Sequence, residues 1–194
     1  MISIQNLTKV FLIEPVFDNY SAEFGAQRVC IEAANGLGKS TLFTLIAGID
    51  RAYHGKILLD GKMHKEPQKV VALASDAISF PDFLTAQQVL GMTMKSWRCS
   101  MPDELISILQ FSSFLNTRIC ALSSGNLKKL QLINAIMRNT PYLILDEPSA
   151  ALDTDSVDNL VEYLDTTSNQ ILISSHDPDI FMRIGFERQS LFAN

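Results

Sequence analysis

One short loop combines glycines, a lysine and hydroxyl side chains in an order suited to binding phosphate. It consists of Asn35, Gly36, Leu37, Gly38, Lys39, Ser40 and Thr41. Glycines allow backbone N–H groups to converge on an anion, Lys39 can reach the β- and γ-phosphates of a nucleotide, and Ser40 can bind magnesium. A glycine-rich surface turn is the alternative. A strand-like segment before the loop and a helix-like segment after it favour the phosphate-binding interpretation.

A pair of carboxylates follows a buried apolar segment much later in the chain. The apolar residues 143–145 precede Asp146, Glu147 and Pro148. A carboxylate at a strand end can hold magnesium through its water shell, the role we predict for Asp146, while Glu147 would orient or deprotonate an attacking water. Both acids can serve one site only if the strand turns there, which Pro148 indicates. Taken alone, the two acids would more often be a solvated strand end.

A third candidate site is a predicted helix start at residues 122–126, which read Leu-Ser-Ser-Gly-Asn. Free backbone N–H groups and a hydroxyl at a helix start are suited to anion binding. Ser123 and Gly125 are therefore candidate phosphate ligands.

The elements that must position these groups alternate between strands and helices. Residues 2–30 read as several short strands separated by turns, and residues 28–32 lead into the phosphate-binding loop. Further strands are predicted at 54–62, 70–74, 142–145 and 170–174, with helices at 40–47, 123–137 and 154–164. Helices starting at Thr85 and Pro102 indicate a helical insertion over roughly 82–121, or 82–138 with the following helix included. This order predicts one α/β domain over 1–194 with a mostly parallel sheet, and the tail after Ile184 is uninformative.

Composition excludes several classes of protein. The 194 residues carry a formal net charge of −5, which argues against nucleic acid as a partner. Three widely spaced cysteines argue against a zinc site or a redox pair, and Cys30 is expected to pack as a small apolar side chain. No apolar segment approaches the roughly 20 residues of a transmembrane helix, and the N-terminus lacks a signal-peptide pattern. We therefore expect a cytoplasmic protein.

Taken in order, these motifs resemble those of the nucleotide-binding domain of ATP-binding-cassette (ABC) proteins. Residues 35–41 resemble the Walker A loop, 143–147 Walker B, 122–126 the signature and 149–153 the D-loop, and His176 resembles the switch histidine. The resemblance implies a P-loop NTPase core with an N-terminal antiparallel β subdomain and an inserted α-helical subdomain. It also implies ATP and Mg²⁺ as cofactors and Glu147 and His176 as catalytic residues.

The resemblance further implies a head-to-tail dimer, in which Ser123 and Gly125 of one cassette close over the ATP held by another. The two cassettes could be identical or different. Phe11 lies about where the family places an aromatic ring that stacks on adenine, and a core position in a strand is its alternative.

Four positions depart from the family pattern. Ala33 replaces the first Walker A glycine, which requires a negative φ at that residue. Ser124 and Asn126 replace a glycine and a glutamine of the signature. After the strand at 70–74 the family carries a glutamine that touches magnesium; Asp76 is the best match here, with Ser75 the other candidate. These changes favour ATP binding more strongly than fast hydrolysis.

Two functions are consistent with these residues. The first is an ATP-hydrolysing subunit that energises separate membrane-spanning permease subunits from the inner face of the membrane, with apolar groups near 80–84 as a docking surface. The second is a soluble ABC ATPase that switches a protein assembly, and a binding-only cassette is a third possibility. Substrate and transport direction do not follow from the sequence.

Overall fold

The computed structural model describes residues 1–12 and 14–192. Its strands are β1 (Ile2–Phe11), β2 (Glu14–Phe24), β3 (Arg28–Glu32), β4 (His54–Leu59), β5 (Val71–Ala74), β6 (Tyr142–Asp146), β7 (Gln170–Ser174) and β8 (Glu187–Ser190). Its helices are α1 (Lys39–Ile46), α2 (Ala86–Trp97), α3 (Asp103–Ile108), α4 (Ser124–Ile136), α5 (Thr154–Asp165) and α6 (Asp179–Met182). None of the helices in these residues is long and apolar enough to cross a membrane.

Two sheets organise the molecule. A parallel sheet has the order β5-β6-β7-β3-β8, and an antiparallel sheet has the order β2-β1-β4. Strands β3, β5, β6 and β7 end at the same edge of the parallel sheet, where loops from different parts of the chain meet. The predicted α/β class, with an antiparallel N-terminal unit, is confirmed.

The core lies on both faces of the parallel sheet. Alternate residues of β6 separate the two faces: Leu143 and Leu145 pack with the helical side, whereas Tyr142 and Ile144 pack with α1 and the antiparallel sheet. This double burial explains the continuous apolar segments of the central strands. Cys30 is fully buried, as predicted, and burial raises the pKa of its thiol to about 11.

One sequence prediction needs correction, and one segment without a prediction forms a strand. The N-terminal segment contains two long strands of 10 and 11 residues rather than several short ones. Register shifts in their pairing, with Asn6 and Asn19 at positive φ, allow the antiparallel ladder to continue past turn-like residues. The tail after Ile184 contains β8, which lies at the edge of the parallel sheet with only β3 as neighbour. An edge strand can remain largely polar, so residues 187–190 show no apolar strand pattern in the sequence.

The helical insertion forms as predicted between β5 and β6. Helix α2 begins with a capping box, in which Thr85 accepts from the Gln88 N–H and the Gln88 side chain accepts from the Thr85 N–H. Helix α4 begins at the predicted place, with Ser123 as its N-cap.

Candidate functional site

A cleft at the carboxyl edge of the parallel sheet gathers most of the predicted site residues. Its walls come from the end of β1, the loop between β3 and α1, the end of β6 and the segment after β7. The predicted residues that line it are Phe11, Asn35, Gly36, Gly38, Lys39, Ser40, Thr41, Asp146, Glu147 and His176. Leu37, Asp76, Ser123 and Gly125 are not among the lining residues.

The phosphate-binding loop depends on one glycine in particular. Gly38 has φ of +99°, and a Cβ there would lie 2.6 Å from Val16 Cγ1 and 3.0 Å from Phe17 Cζ. Both the backbone angle and the packing therefore require glycine. Helix α1 starts directly afterwards, so its N-terminal N–H groups face the cleft. Val16 also lines the cleft, and the sequence did not single it out.

Lys39 sits in the loop with its ammonium held by main-chain oxygens. Its Nζ donates to the carbonyl oxygens of Ala33 at 2.6 Å and Ala34 at 3.4 Å. An alanine in place of the first Walker A glycine requires that the backbone φ is not positive there. Ala33 is not among the residues with positive φ, so the loop accommodates its methyl group.

A turn at the end of β6 brings Asp146 and Glu147 to the same cleft. Glu147 has φ of +50°, a left-handed conformation uncommon outside glycine, and its N–H donates to Ser174 Oγ at 3.0 Å. This turn redirects a side chain that a continuing strand would send to the opposite face. The predicted turn is present, one residue before Pro148.

Two serine hydroxyls fix the Asp146 carboxylate. Ser174 Oγ donates to Asp146 Oδ1 at 2.7 Å, and Ser75 Oγ donates to Oδ2 at 2.9 Å. All three side chains are buried. The two serines come from the neighbouring strand β7 and from the residue after β5, so only the sheet order brings them to the acid.

Glu147 and His176 lie together. The backbone N–H of His176 donates to Glu147 Oε2 at 3.0 Å, and His176 Nε2 lies 3.7 Å from Oε1. The carboxylate is thus oriented by the segment after β7 and still lines the cleft, as a group that handles a water molecule must.

Phe11 lies at the mouth of the cleft and is half exposed, so its alternative role as a core residue is wrong. Lys9 Nζ lies 4.6 Å from the centre of its ring, a cation–π contact that helps to hold the ring.

The signature segment lies elsewhere on the surface. Ser123 is exposed and accepts from the Asn126 N–H at 3.2 Å. A Cβ on Gly125 would lie 2.5 Å from the Ala151 carbonyl oxygen, so this glycine allows α4 to pack against the segment after β6. Asp153 caps α5 in the same region, and its hydrogen bonds from Ser156 lower the pKa of its carboxyl to about 2.

The donor set fits magnesium held largely by phosphate and water. Ser40 and Asp146 line the same cleft, whereas no cluster of three or more His, Cys, Asp or Glu side chains within the described residues could hold a metal alone. Mg²⁺ typically uses one or two protein oxygens together with substrate phosphates and waters. Asp76, the third predicted magnesium ligand, does not line this cleft, and its carboxylate pairs with Lys128.

Comparisons with known proteins agree with this geometry. The family model described as "ABC transporter" matches residues 24–150, more than half of the chain. The chain belongs to the ABC transporter family. Membership confirms the predicted resemblance and the interpretation as an ATP-binding ATPase cassette of the ABC transporter type.

Two curated relatives of this ABC cassette serve opposite directions of transport. The lipopolysaccharide export ATP-binding protein LptB of Haemophilus influenzae is 25% identical over 194 residues, covering 91% of this chain and 80% of that protein. The cobalt import ATP-binding protein CbiO of Salmonella typhimurium is 28% identical over 204 residues, covering 95% of this chain and 74% of that protein. The chain spans 36% of the length of a further, longer relative.

Solved structures support the fold. A bacterial ABC transporter cassette solved as a dimer superposes with a TM-score of 0.79 at 20% identity, covering 98% of this chain and 95% of that one.

Proposed function

We propose that this cassette binds Mg²⁺-ATP in the cleft, hydrolyses it within a dimer of cassettes, and so energises membrane-spanning permease subunits on separate chains. The observation that carries the proposal is that the loop of Lys39 and the acids Asp146 and Glu147 line one cleft, although more than 100 residues separate them.

Each residue has a role that follows from its position. Lys39 and the N-terminal N–H groups of α1 bind the phosphates, and Phe11 contacts the base. Ser40 and Asp146 would hold magnesium, which would neutralise charge on the phosphates. Glu147 accepts a hydrogen bond from the attacking water and takes its proton, while the His176 backbone holds that carboxylate in place.

A second cassette completes the site. Ser123 and Gly125 do not line this chain's own cleft, and Ser123 lies on an exposed helix start. A helix start with free N–H groups can bind the γ-phosphate of ATP held by a neighbouring cassette. The second cassette can be another copy of this chain or a different ABC cassette.

The permease partner is proposed from the relatives, which are named as ATP-binding proteins of a lipopolysaccharide export system and of cobalt import. The exposed Phe83 beside the partly buried Phe80 offers an apolar contact on the helical insertion. The cassette would then work at the inner face of the membrane, as a single domain over residues 1–194.

The replacement Glu147→Gln tests the proposal. The amide keeps the size of the side chain but cannot take a proton, so ATP should persist and hold two cassettes together. We expect turnover to fall by at least about 100-fold. Light scattering after gel filtration should show a dimer with ATP and a monomer without it. Glu162→Gln, on an exposed part of α5, is the matched control and should behave as the wild type.

An ATP-loaded Glu147→Gln variant that stays monomeric would contradict the dimer mechanism. The same variant can also serve as bait in a mild-detergent extract of membranes. Recovery of partners without membrane-spanning segments, and of none with them, would contradict the transport role.

A further inference from the structure

Two consecutive lysines near the start of α4 are buried and reach different loops. Lys128 Nζ donates to Asp76 Oδ1 at 2.8 Å and to the Asp146 carbonyl oxygen at 3.3 Å. Lys129 Nζ donates to Asp153 Oδ2 at 3.2 Å. The first lysine therefore connects the signature helix to the loop after β5 and to the end of β6.

Burial makes the contact between Lys128 and Asp76 important for the lysine. The Lys128 side chain is 5% exposed, whereas that of Asp76 is 81% exposed. A buried ammonium is costly unless it is paired and hydrogen-bonded. Asp76 is the only carboxylate within ion-pair distance of Lys128 among residues 1–12 and 14–192. Loss of Asp76 would leave this buried charge with the Asp146 carbonyl oxygen as its acceptor in that part of the chain.

We infer that Asp76 acts through Lys128 rather than as a magnesium ligand, and that Lys128 is a positioning residue for the acids at the end of β6. The inference concerns the site of the proposed ATPase reaction and so rests on that proposal. It replaces the metal-binding role that the sequence predicted for Asp76.

The contacts form a continuous path from α4 to the acid. Lys128 holds Asp76, the neighbouring Ser75 donates to Asp146 Oδ2 at 2.9 Å, and Lys128 also holds the Asp146 main chain. A displacement of the loop would therefore move the hydroxyl that orients Asp146. Groups that orient metal-binding side chains in this way typically contribute 10- to 100-fold to activity.

A double-mutant cycle of Asp76→Asn and Lys128→Met tests the inference without nucleotide. Asp76→Asn alone should lower the melting temperature by about 3 °C, because it removes the negative partner of a buried ammonium. In the Lys128→Met background the same change should have no effect. Lys128→Gln keeps a donor at the position and supports the same comparison if Lys128→Met does not fold.

The control replaces the adjacent lysine. Lys129→Met should show additive effects with Asp76→Asn, because Lys129 pairs with Asp153 instead. Additive melting temperatures for Asp76→Asn and Lys128→Met would overturn the inference. This result would be independent of the proposed function, whose failure would appear as a wild-type protein that binds no ATP.

Magnesium titrations then separate positioning from metal binding. Asp76→Asn should lower kcat about tenfold, leave KM for ATP within about twofold, and cause no further loss in combination with Lys128→Met. The magnesium concentration for half-maximal ATP binding should change by less than about twofold. If this magnesium concentration rose about tenfold or more in Asp76→Asn but not in Lys128→Met, Asp76 would bind the metal itself. That result would overturn the inference.

Discussion

At the scale of single residues, the cleft is built from polar groups that the protein itself holds in place. Two serine hydroxyls hold the Asp146 carboxylate, the His176 N–H holds Glu147, and the Ala33 carbonyl accepts from Lys39. Such contacts fix geometry before a ligand arrives, which reduces the cost of ordering side chains on binding. Lys39 differs from the others, because in its proposed role it would exchange its carbonyl partners for phosphate oxygens.

The substitution Lys39→Ala should therefore affect nucleotide binding more than folding. Hydrogen bonds to a charged partner are worth about 1.5–3 kcal/mol, so ATP affinity should fall by at least about tenfold. Equilibrium binding of a fluorescent ATP analogue measures this change. Lys69→Ala removes an exposed lysine paired with Glu66 and serves as the control. Equal affinities for the two variants would refute the role of Lys39.

At the scale of elements, the placement of α4 decides what the signature segment can do. Its first turn packs on the segment after β6 through Gly125, and its two lysines contact the loop after β5 and the start of α5. The helix start is therefore attached to two of the loops that surround the acids, the loop after β5 and the loop between β6 and α5, while Ser123 stays exposed. Closure of a second cassette on this helix start would act directly on those loops.

The substitution Gly125→Ala tests this packing. A Cβ 2.5 Å from the Ala151 carbonyl oxygen requires the helix or the segment to move, and overpacking of this kind costs about 1–3 kcal/mol. Gly91→Ala is the matched control, because Gly91 also lies in a helix but a Cβ added to it would meet no atom within 4 Å. That control should be neutral or stabilising by up to about 1 kcal/mol. Urea denaturation of both variants gives the comparison, and equal stabilities would argue against close packing at Gly125.

At the scale of the whole molecule, a single stacked pair helps to join the helical insertion to the parallel sheet. The Arg138 guanidinium lies 3.7 Å from the centre of the Trp97 ring in α2 and donates to the carbonyl oxygens of Gln68 and Val71. Burial lowers the pKa of Arg138 to about 10. The planar guanidinium stacks on the ring while its Nη2 donates to both oxygens, whereas a lysine ammonium has no plane to stack on the ring.

The substitution Arg138→Lys should accordingly destabilise the fold by about 1–3 kcal/mol although the positive charge is kept. Trp97 is the only tryptophan in the chain, so its fluorescence reports on this junction during denaturation. Arg183→Lys, at an exposed pair with Asp158, should change stability by less than about 1 kcal/mol. An Arg138→Lys variant as stable as the wild type would show that the stack contributes little.

Local patterns were enough to predict the central elements and the motif order. The helix starts near Thr85 and Ser123 and the apolar strand before Asp146 depend on residues that are neighbours in the chain, and each appears as predicted. The long strands β1 and β2 and the edge strand β8 were missed because their pairing, rather than their own residue pattern, maintains them.

The sequence by itself determined the family and most of the lining of the cleft, since those depend on residue types in a recognisable order. Only the tertiary structure decided that Asp76 pairs with Lys128, 52 residues away, and that Ser75 and Ser174 share the Asp146 carboxylate. The reason is physical: a side chain's available partners are set by which strands and helices lie side by side. That arrangement follows from burial of the whole core and leaves no local signal at Asp76.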